Sequence, residues 1–379
     1  MRILLTGANG YIGKRLLPNL VQEGYTVICC VRDRNRFNPP ESLMQNIEVI
    51  EIDFLYKNSI TKIPQNIDGA YYLMHSMTSS SVYEKKEMIC ASNFKEAVNK
   101  TKIKHVVYLS GIINETSLSR HLFSRKAVED ELATGNYNFT TLRAGIIIGS
   151  GSASFEIIRD LTEKIPLLLT PIWVKTKCQP IGVRDVKNIL TKTMFNVAAY
   201  NKNFDIGGPD ILTYKEMLLG YAKVRGLKRK LLIFPLITPK ISSYWLYFLT
   251  STSYKLATAL VQSMNVEVVC RNCDINKILN ITPVGYEQAL KRTLLRIEEH
   301  QIVSSWKDSL VSGRIKVNLS EFMNVPTFGC NIYHLEKKAV NREKSINKIW
   351  SIGGNTGWYR ADWLWEIRGF LDKVFGGVG

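Results

Sequence analysis

Thr6-Gly7-Ala8-Asn9-Gly10-Tyr11-Ile12-Gly13 is the stretch whose reading decides the fold. Before it stands Met1-Arg2-Ile3-Leu4-Leu5, a short apolar run that reads as a buried strand. After it, from Lys14 to Glu23, Leu16, Leu17, Leu20 and Val21 recur at helical spacing. The order is therefore strand, glycine turn, helix. Glycines let the backbone turn tightly and approach a phosphate, and a helix N-terminus offers free N–H donors and a partial positive charge. The spacing is G-x-x-G-x-x-G rather than G-x-G-x-x-G, and its place between a strand and a helix points to a dinucleotide pyrophosphate.

Working outward, Thr26 to Val31 reads as a second strand, ending in Arg32-Asp33-Arg34. The end of this strand is where the adenosine ribose lies in a doubly wound nucleotide-binding sheet. An acid there favours the ribose hydroxyls of NAD, whereas arginine favours the 2′-phosphate of NADP, because a planar guanidinium pairs with phosphate through two N–H groups. Arg32 comes first, so the expected cofactor is NADP, with NAD the alternative through Asp33. Asn46 to Ile52, Gly69 to Met74, Lys104 to Leu109 and Phe139 to Arg143 read as further strands, with a long amphipathic helix over Glu84 to Lys100. Strands alternating with helices imply an α/β chain with a doubly wound parallel sheet, the Rossmann arrangement. Ligands in such sheets lie beyond the carboxyl ends of the strands. Gly10, Arg32, Asp53, His75, Ser110 and Gly145 are accordingly expected to converge on one crevice. The candidate dinucleotide-binding set is Gly7, Asn9, Gly10, Tyr11, Ile12, Gly13, Arg32, Asp53, Phe54, Met74, His75, Ser76, Asn93 and Gly145.

The pattern changes near Gly149. Ser150 to Ser154 is a small-residue turn, followed by a helix over Phe155 to Lys164 and short extended segments at Leu167 to Thr170 and Pro180-Ile181. Arg184 opens another helix, Asn203 to Pro209 is a strand and turn, and Thr213 caps the next helix. Residues from about 150 to 298 are expected to form a smaller substrate-side region of a first domain spanning 1–298. The segment 231–263 is unusually apolar and aromatic, with Lys228-Arg229-Lys230 just before it. It reads as core or a lid, with peripheral membrane contact or a dimer face as the alternative. A composition shift near Glu298 to Asp308 sets off a second region, 305–379, whose four tryptophans Trp350, Trp358, Trp363 and Trp365 need packing partners. That region is expected to be a domain that is small, docked on the first, or cut off at Gly379.

The chain has 379 residues, is 45% hydrophobic and carries a formal charge of +17. No segment reaches the ~18 uninterrupted apolar residues that span a bilayer. Met1 leads directly into the first strand, which leaves no room for a signal peptide, and the expected compartment is the cytoplasm. The seven cysteines are scattered. Cys270-x-x-Cys273 has ligand spacing but no second pair, so ordinary reduced thiols are expected rather than a metal site. The positive charge fits a lysine-rich solvated surface. There is no nucleic-acid motif and no basic ladder interleaved with aromatics.

The residues 6–13 turn, Tyr71-Tyr72-Leu73-Met74-His75-Ser76-Met77, Leu142 to Ser152 and Phe204 to Tyr214 together resemble the atypical short-chain dehydrogenase/reductases, near their NmrA-like and sugar-nucleotide epimerase branches. Gly357 to Trp365 resembles the start of a domain of unknown function often fused to that subfamily, whose members continue past this point. The resemblance implies bound NAD(P) and oxidoreductase or epimerase-like chemistry on an unspecified small molecule. Catalytic members use a serine after the fifth strand and a Tyr-x-x-x-Lys pair on the next helix. Here Ser110 matches the serine, while His121 and Arg125 stand where tyrosine and lysine are expected. Shifting the register by one offers Leu122 and Lys126, a lysine without an acid. The candidate catalytic residues are Ser110, His121 and Arg125, with a non-catalytic nucleotide-binding sensor or assembly factor as the alternative reading.

Overall fold

In the computed structural model, Arg2–Leu5 forms β1 and Tyr11–Gln22 forms α1. The structure describes residues 1–74, 81–113, 120–234, 243–244, 258, 261, 263–298, 341–351, 357 and 361–374. Chain order then gives β2 (Thr26–Val31), β3 (Ile47–Glu51), β4 (Gly69–Tyr72), α2 (Ser81–Asn99), β5 (His105–Gly111), α3 (Arg120–Ala133) and β6 (Asn138–Ala144). Side chains along a strand alternate between faces, and here both faces are buried. Ile3, Leu5, Val27, Cys29 and Val107 pack with Leu16, Leu17 and Leu20 of α1. Their neighbours Leu4, Ile28, Cys30, Val106 and Tyr108 pack with Phe94 and Val98 of α2 and Val128 and Leu132 of α3. Burial on both sides is why these strands read as unbroken apolar runs.

Beyond β6 come β7 (Ile147–Ile148), α4 (Ala153–Lys164), β8 (Leu167–Thr170), β9 (Lys177–Cys178), β10 (Ile181–Gly182) and α5 (Val183–Thr193). They are followed by β11 (Lys202–Ile206), β12 (Leu212–Thr213), α6 (Tyr214–Val224), β13 (Lys230–Ile233), α7 (Ile275–Ile278) and α8 (Tyr286–Glu298). The main sheet has seven strands in the order β11-β6-β5-β4-β1-β2-β3, every pair parallel. Residues after 150 are thus not all on the substrate side. β11 returns as the seventh strand, Phe204 opposite Leu142, and α5 buries Val186, Ile189 and Leu190 in the core that α1 also covers. A separate core joins Phe155 and Leu161 of α4, Met217 and Tyr221 of α6, and Leu290 of α8. Thr213 caps α6 as read, its hydroxyl accepting from the Glu216 N–H at 3.2 Å while the Glu216 carboxylate accepts the Thr213 N–H at 2.7 Å.

Met1–Lys316 forms one compact unit and Val317–Gly379 another. In the second, the described residues form helices Arg342–Trp350 and Asp362–Val374, and Trp363, Trp365 and Phe370 of the latter are exposed. Most of the apolar-aromatic segment 231–263, Trp245 to Phe248 included, lies outside the described residues, as does 305–340. Among the described residues no helix is long and apolar enough to cross a membrane.

Candidate functional site

The turn after β1 is built by close backbone approach. Thr6, fully buried, donates its hydroxyl to the Tyr71 carbonyl at 3.0 Å and accepts the Leu73 N–H at 3.1 Å, locking the ends of β1 and β4 together. Gly7 has φ +65°, and a Cβ there would lie 2.7 Å from the Leu73 carbonyl oxygen. The Gly10 N–H closes the turn on the Gly7 carbonyl at 2.8 Å. A Cβ on Gly13 would lie 2.2 Å from that same oxygen, so α1 sits directly against the turn. No side chain caps α1 and no acid stands in its first turn. The backbone N–H groups at Tyr11, Ile12 and Gly13 therefore begin a helix whose positive end lacks a side-chain counter-charge. The Tyr11 side chain, by contrast, is structural. Its hydroxyl lies where a Gly149 Cβ would be 2.5 Å away, and burial pushes the phenol up to about 12 against the opposing effects of Arg15 and a hydrogen bond with Ser152. Arg15 lies over the Tyr11 ring and donates to the Ser150 carbonyl at 2.7 Å.

At the adenosine end, Arg32 is exposed just past β2. Asp33 caps a short 3-10 turn, Arg34–Arg36, accepting the Asn35 N–H at 2.9 Å and pairing with Arg36 Nε at 3.3 Å. Asn9 of the glycine turn donates to the Arg36 carbonyl at 3.2 Å, while its buried Oδ1 has no hydrogen-bond partner among the described residues. Asp53 accepts the Leu55 N–H at 3.0 Å, the local cap that its strand-end position permits. Arg32, Asp53 and Glu87 all bear on the Cys90 thiol of α2, which burial first and the two carboxylates next raise to about 12. The ends of β2 and β3 thus meet α2 at one place. Two members of the candidate set are supports. The Phe54 ring is buried in the core, and the buried Asn93 amide donates to the Phe54 carbonyl at 2.7 Å. Neither side chain is available to a ligand. Met74 packs half-buried at the end of β4. His75 and Ser76 lie outside the described residues.

Three strands across, Ser110 stands one residue before the end of β5 with 1% of its surface exposed. Two residues earlier on the same face stands Tyr108, which the sequence reading passed over. Burial raises its phenol to about 12, opposed by the Arg125 cation and then by the neighbouring Ser110 hydroxyl. Arg125 projects from α3, half-buried, its Nε buried without a hydrogen-bond partner among the described residues. His121 lies one turn earlier in α3, and its side chain is outside the described residues. The cluster is braced from below. Ser124 donates to the Glu87 carboxylate. Glu129 takes both Arg143 Nε at 3.0 Å and Arg143 Nη2 at 2.5 Å, a two-pronged pair that ties α3 to β6. Beyond β6, Gly145 lies under Val268, whose Cγ1 would be 2.9 Å from an added Cβ. The strand ends of β1, β2, β3, β5 and β6 thus form one edge, with backbone donors and Arg32 at one end and Ser110, Tyr108 and Arg125 at the other.

Residues 7–164 match a family of NAD(P)H-binding domains. The match implies NAD(P)(H) as the dinucleotide class, and the uncapped α1 N-terminus and the Asn9 Oδ1 without a hydrogen-bond partner among the described residues fit it. The chain is 23% identical over 217 residues to a mitochondrial protein of Neurospora crassa, the NADH-ubiquinone oxidoreductase 40 kDa subunit, covering 56% of this chain and 56% of that protein. It is 24% identical over 227 residues to the chloroplastic divinyl chlorophyllide a 8-vinyl-reductase of Arabidopsis thaliana, covering 55% and 54%. The chain thus spans about half the length of these curated relatives. The triphenylmethane reductase of a Citrobacter species, solved with NADP(H), superposes with a TM-score of 0.60 at 16% identity, over 77% of this chain and all of that one. That likeness shows the fold.

Proposed function

We propose that this protein is an NADPH-dependent oxidoreductase acting on a small molecule held beyond the carboxyl ends of β4, β5 and β6. One observation carries the reading. A helix N-terminus free of side-chain caps and the Ser110–Tyr108–Arg125 group lie along one edge of a single parallel sheet, where doubly wound sheets take their ligands. When bound, the dinucleotide supplies a hydride. The chain does the rest. Backbone N–H groups of Tyr11, Ile12 and Gly13 hold the pyrophosphate. Arg32 pairs with the 2′-phosphate, while Asp33, the group NAD would need, is engaged by Asn35 and Arg36. Arg125 supplies a guanidinium. Its role is to hold negative charge on the substrate oxygen or a ribose hydroxyl. His121, one helical turn earlier along α3, is the residue assigned to carry the proton, and Ser110 orients the substrate oxygen.

The deep burial of Ser110 and Tyr108 favours a second reading, a nucleotide-binding sensor without turnover. Thermal unfolding and NADPH consumption separate the two. At a hundredfold excess over its dissociation constant, NADPH stabilises the folded protein by about 2.7 kcal/mol, and NADH does so less at equal concentration. No shift with either nucleotide sinks the binding reading. A shift with no NADPH oxidation across a broad carbonyl and alkene panel leaves the sensor.

A further inference from the structure

Cys270 and Cys273 stand apart from every other described cysteine. Burial raises the Cys29, Cys90 and Cys178 thiols to about 12 and holds Cys30 up as well. Such thiols are inert. Cys270 and Cys273 are both half-buried and interact with each other. Of the pair, Cys270 is held as the thiol and Cys273 is lowered, with the Cys270 hydrogen bond the main cause and Asp205 and Asp274 opposing it. Among the described residues no group of three or more His, Cys, Asp or Glu could hold a metal.

Its surroundings fix the backbone that carries the pair. The Cys270 N–H donates to Gln179 Oε1 at 3.0 Å, and the Gln179 N–H donates to the Val268 carbonyl at 2.9 Å. The Arg271 N–H donates to Asp205 Oδ2 at 2.9 Å, and the Asp205 N–H donates back to the Asn272 carbonyl at 2.8 Å. Both residues between the cysteines are thus tied to β11, and the chain bends at Arg271. A disulfide needs Cα atoms roughly 4.4–6.8 Å apart, and the two cysteines are three residues apart across the bend at Arg271. Gly207 leaves room for the Cys270 sulfur, which would be 2.6 Å from a Cβ there. Val268, two residues before Cys270, packs over Gly145, so the pair belongs to the wall of the crevice.

We propose that Cys270 and Cys273 are a reversible dithiol–disulfide pair on the substrate-side wall, oxidised by low-molecular-weight disulfides. The Cys273 thiolate attacks one sulfur of the small disulfide, forming a mixed disulfide and releasing one small thiolate. Cys270 then loses its proton and attacks Cys273 Sγ, which expels the second small thiolate. Two protein thiols are oxidised by two electrons, and one small disulfide becomes two small thiols. The pair does not depend on the catalytic reading of Ser110 and Arg125.

The test incubates the folded full-length protein with oxidised glutathione, quenches with acid, alkylates and maps peptides by mass spectrometry. The expected product is a Cys270–Cys273 disulfide, formed at least tenfold faster than any modification of Cys29, Cys30 or Cys178. Cys270→Ser should accumulate glutathione on Cys273, and Cys273→Ser should slow reaction at Cys270 at least tenfold. Dithiothreitol should restore both thiols. Absence of the intramolecular disulfide, or a Cys273→Ser protein whose Cys270 reacts as fast as before, overturns the proposal.

Discussion

Replacing Gly13 by alanine tests the geometry on which nucleotide binding rests. The new Cβ would lie 2.2 Å from the Gly7 carbonyl oxygen and 2.9 Å from Ala8 Cα, both backbone atoms with no rotamer to yield. Contacts below 3.0 Å are not tolerated, so α1 must withdraw from the turn by about 1 Å. Overpacking of this kind costs about 1–3 kcal/mol, which lowers the melting temperature by roughly 5 °C in a domain of this size. The same shift carries the first-turn N–H groups away from the pyrophosphate. Losing one charge-assisted hydrogen bond, worth about 2 kcal/mol, weakens NADPH binding roughly thirtyfold. Gly24 is the control. Its φ is +81° with nothing within 4 Å of an added Cβ, so Gly24→Ala strains the backbone by about 1 kcal/mol and leaves affinity unchanged. Calorimetric titration with NADPH, beside thermal unfolding of each variant, reads both effects. A folded Gly13→Ala protein with unaltered affinity, or equal loss in Gly24→Ala, would refute the reasoning.

Arg32→Ala should weaken NADPH by roughly ten- to a hundredfold, the worth of one phosphate pair, and leave NADH within about twofold in the same titration. An equal effect on both nucleotides would show that Arg32 does not read the 2′-phosphate. Glu129→Ala strands the Arg143 guanidinium, which is 18% exposed, and should cost about 3 kcal/mol in urea unfolding; a loss under about 1 kcal/mol would show that water or Asp205 replaces the pair. His105 is held neutral, its Nδ1 accepting the Phe195 N–H at 3.0 Å and its Nε2 2.9 Å from Thr140 Oγ1. Burial lowers its pKa from 6.5 to about 4. Below pH 6.5 the unfolded chain binds a proton that the folded protein refuses, so stability falls as pH drops from about 6.5 to 4, by roughly 3 kcal/mol in total. His105→Gln should flatten the stability profile over that window in denaturant titrations, and an unchanged slope would place the acid sensitivity elsewhere.

The glycine turn and six strands were legible because their cause is local. Close approach at Gly7 and Gly13 demands glycine, and strands buried on both faces leave continuous apolar runs. The start of α1 was harder, since its first turn lies inside the glycine motif and carries no capping residue to mark it. What escaped was set by distant pairing. Asn203 to Pro209 reads as a strand and turn, and only the register of Lys202–Ile206 against Thr140 to Ala144 makes it part of the main sheet. Tyr11, Phe54 and Asn93 stand at positions where ligand contact was expected, yet Tyr11 turns its hydroxyl to the 149–152 loop and Asn93 fastens Phe54. Nothing in their immediate sequence distinguishes a support from a contact. Tyr108 could have been found by strand alternation from Ser110. Its nearness to Arg125 required the packing of α3 on β5.

The seventh strand has a consequence for how the protein is made. The Phe139 N–H is taken by Asn201 Oδ1, the Thr140 hydroxyl by the Ala199 carbonyl, and His105 by the Phe195 N–H. Residues 7–164, though they carry the whole nucleotide signature, therefore emerge from a ribosome with the edge of β6 bare. The partner of Phe139 lies 62 residues further along, a delay of roughly 3–12 s at ordinary rates of synthesis. For that interval a row of unpaired backbone groups is open to any other strand. A fragment ending near Lys164 would lack the strand that covers this edge.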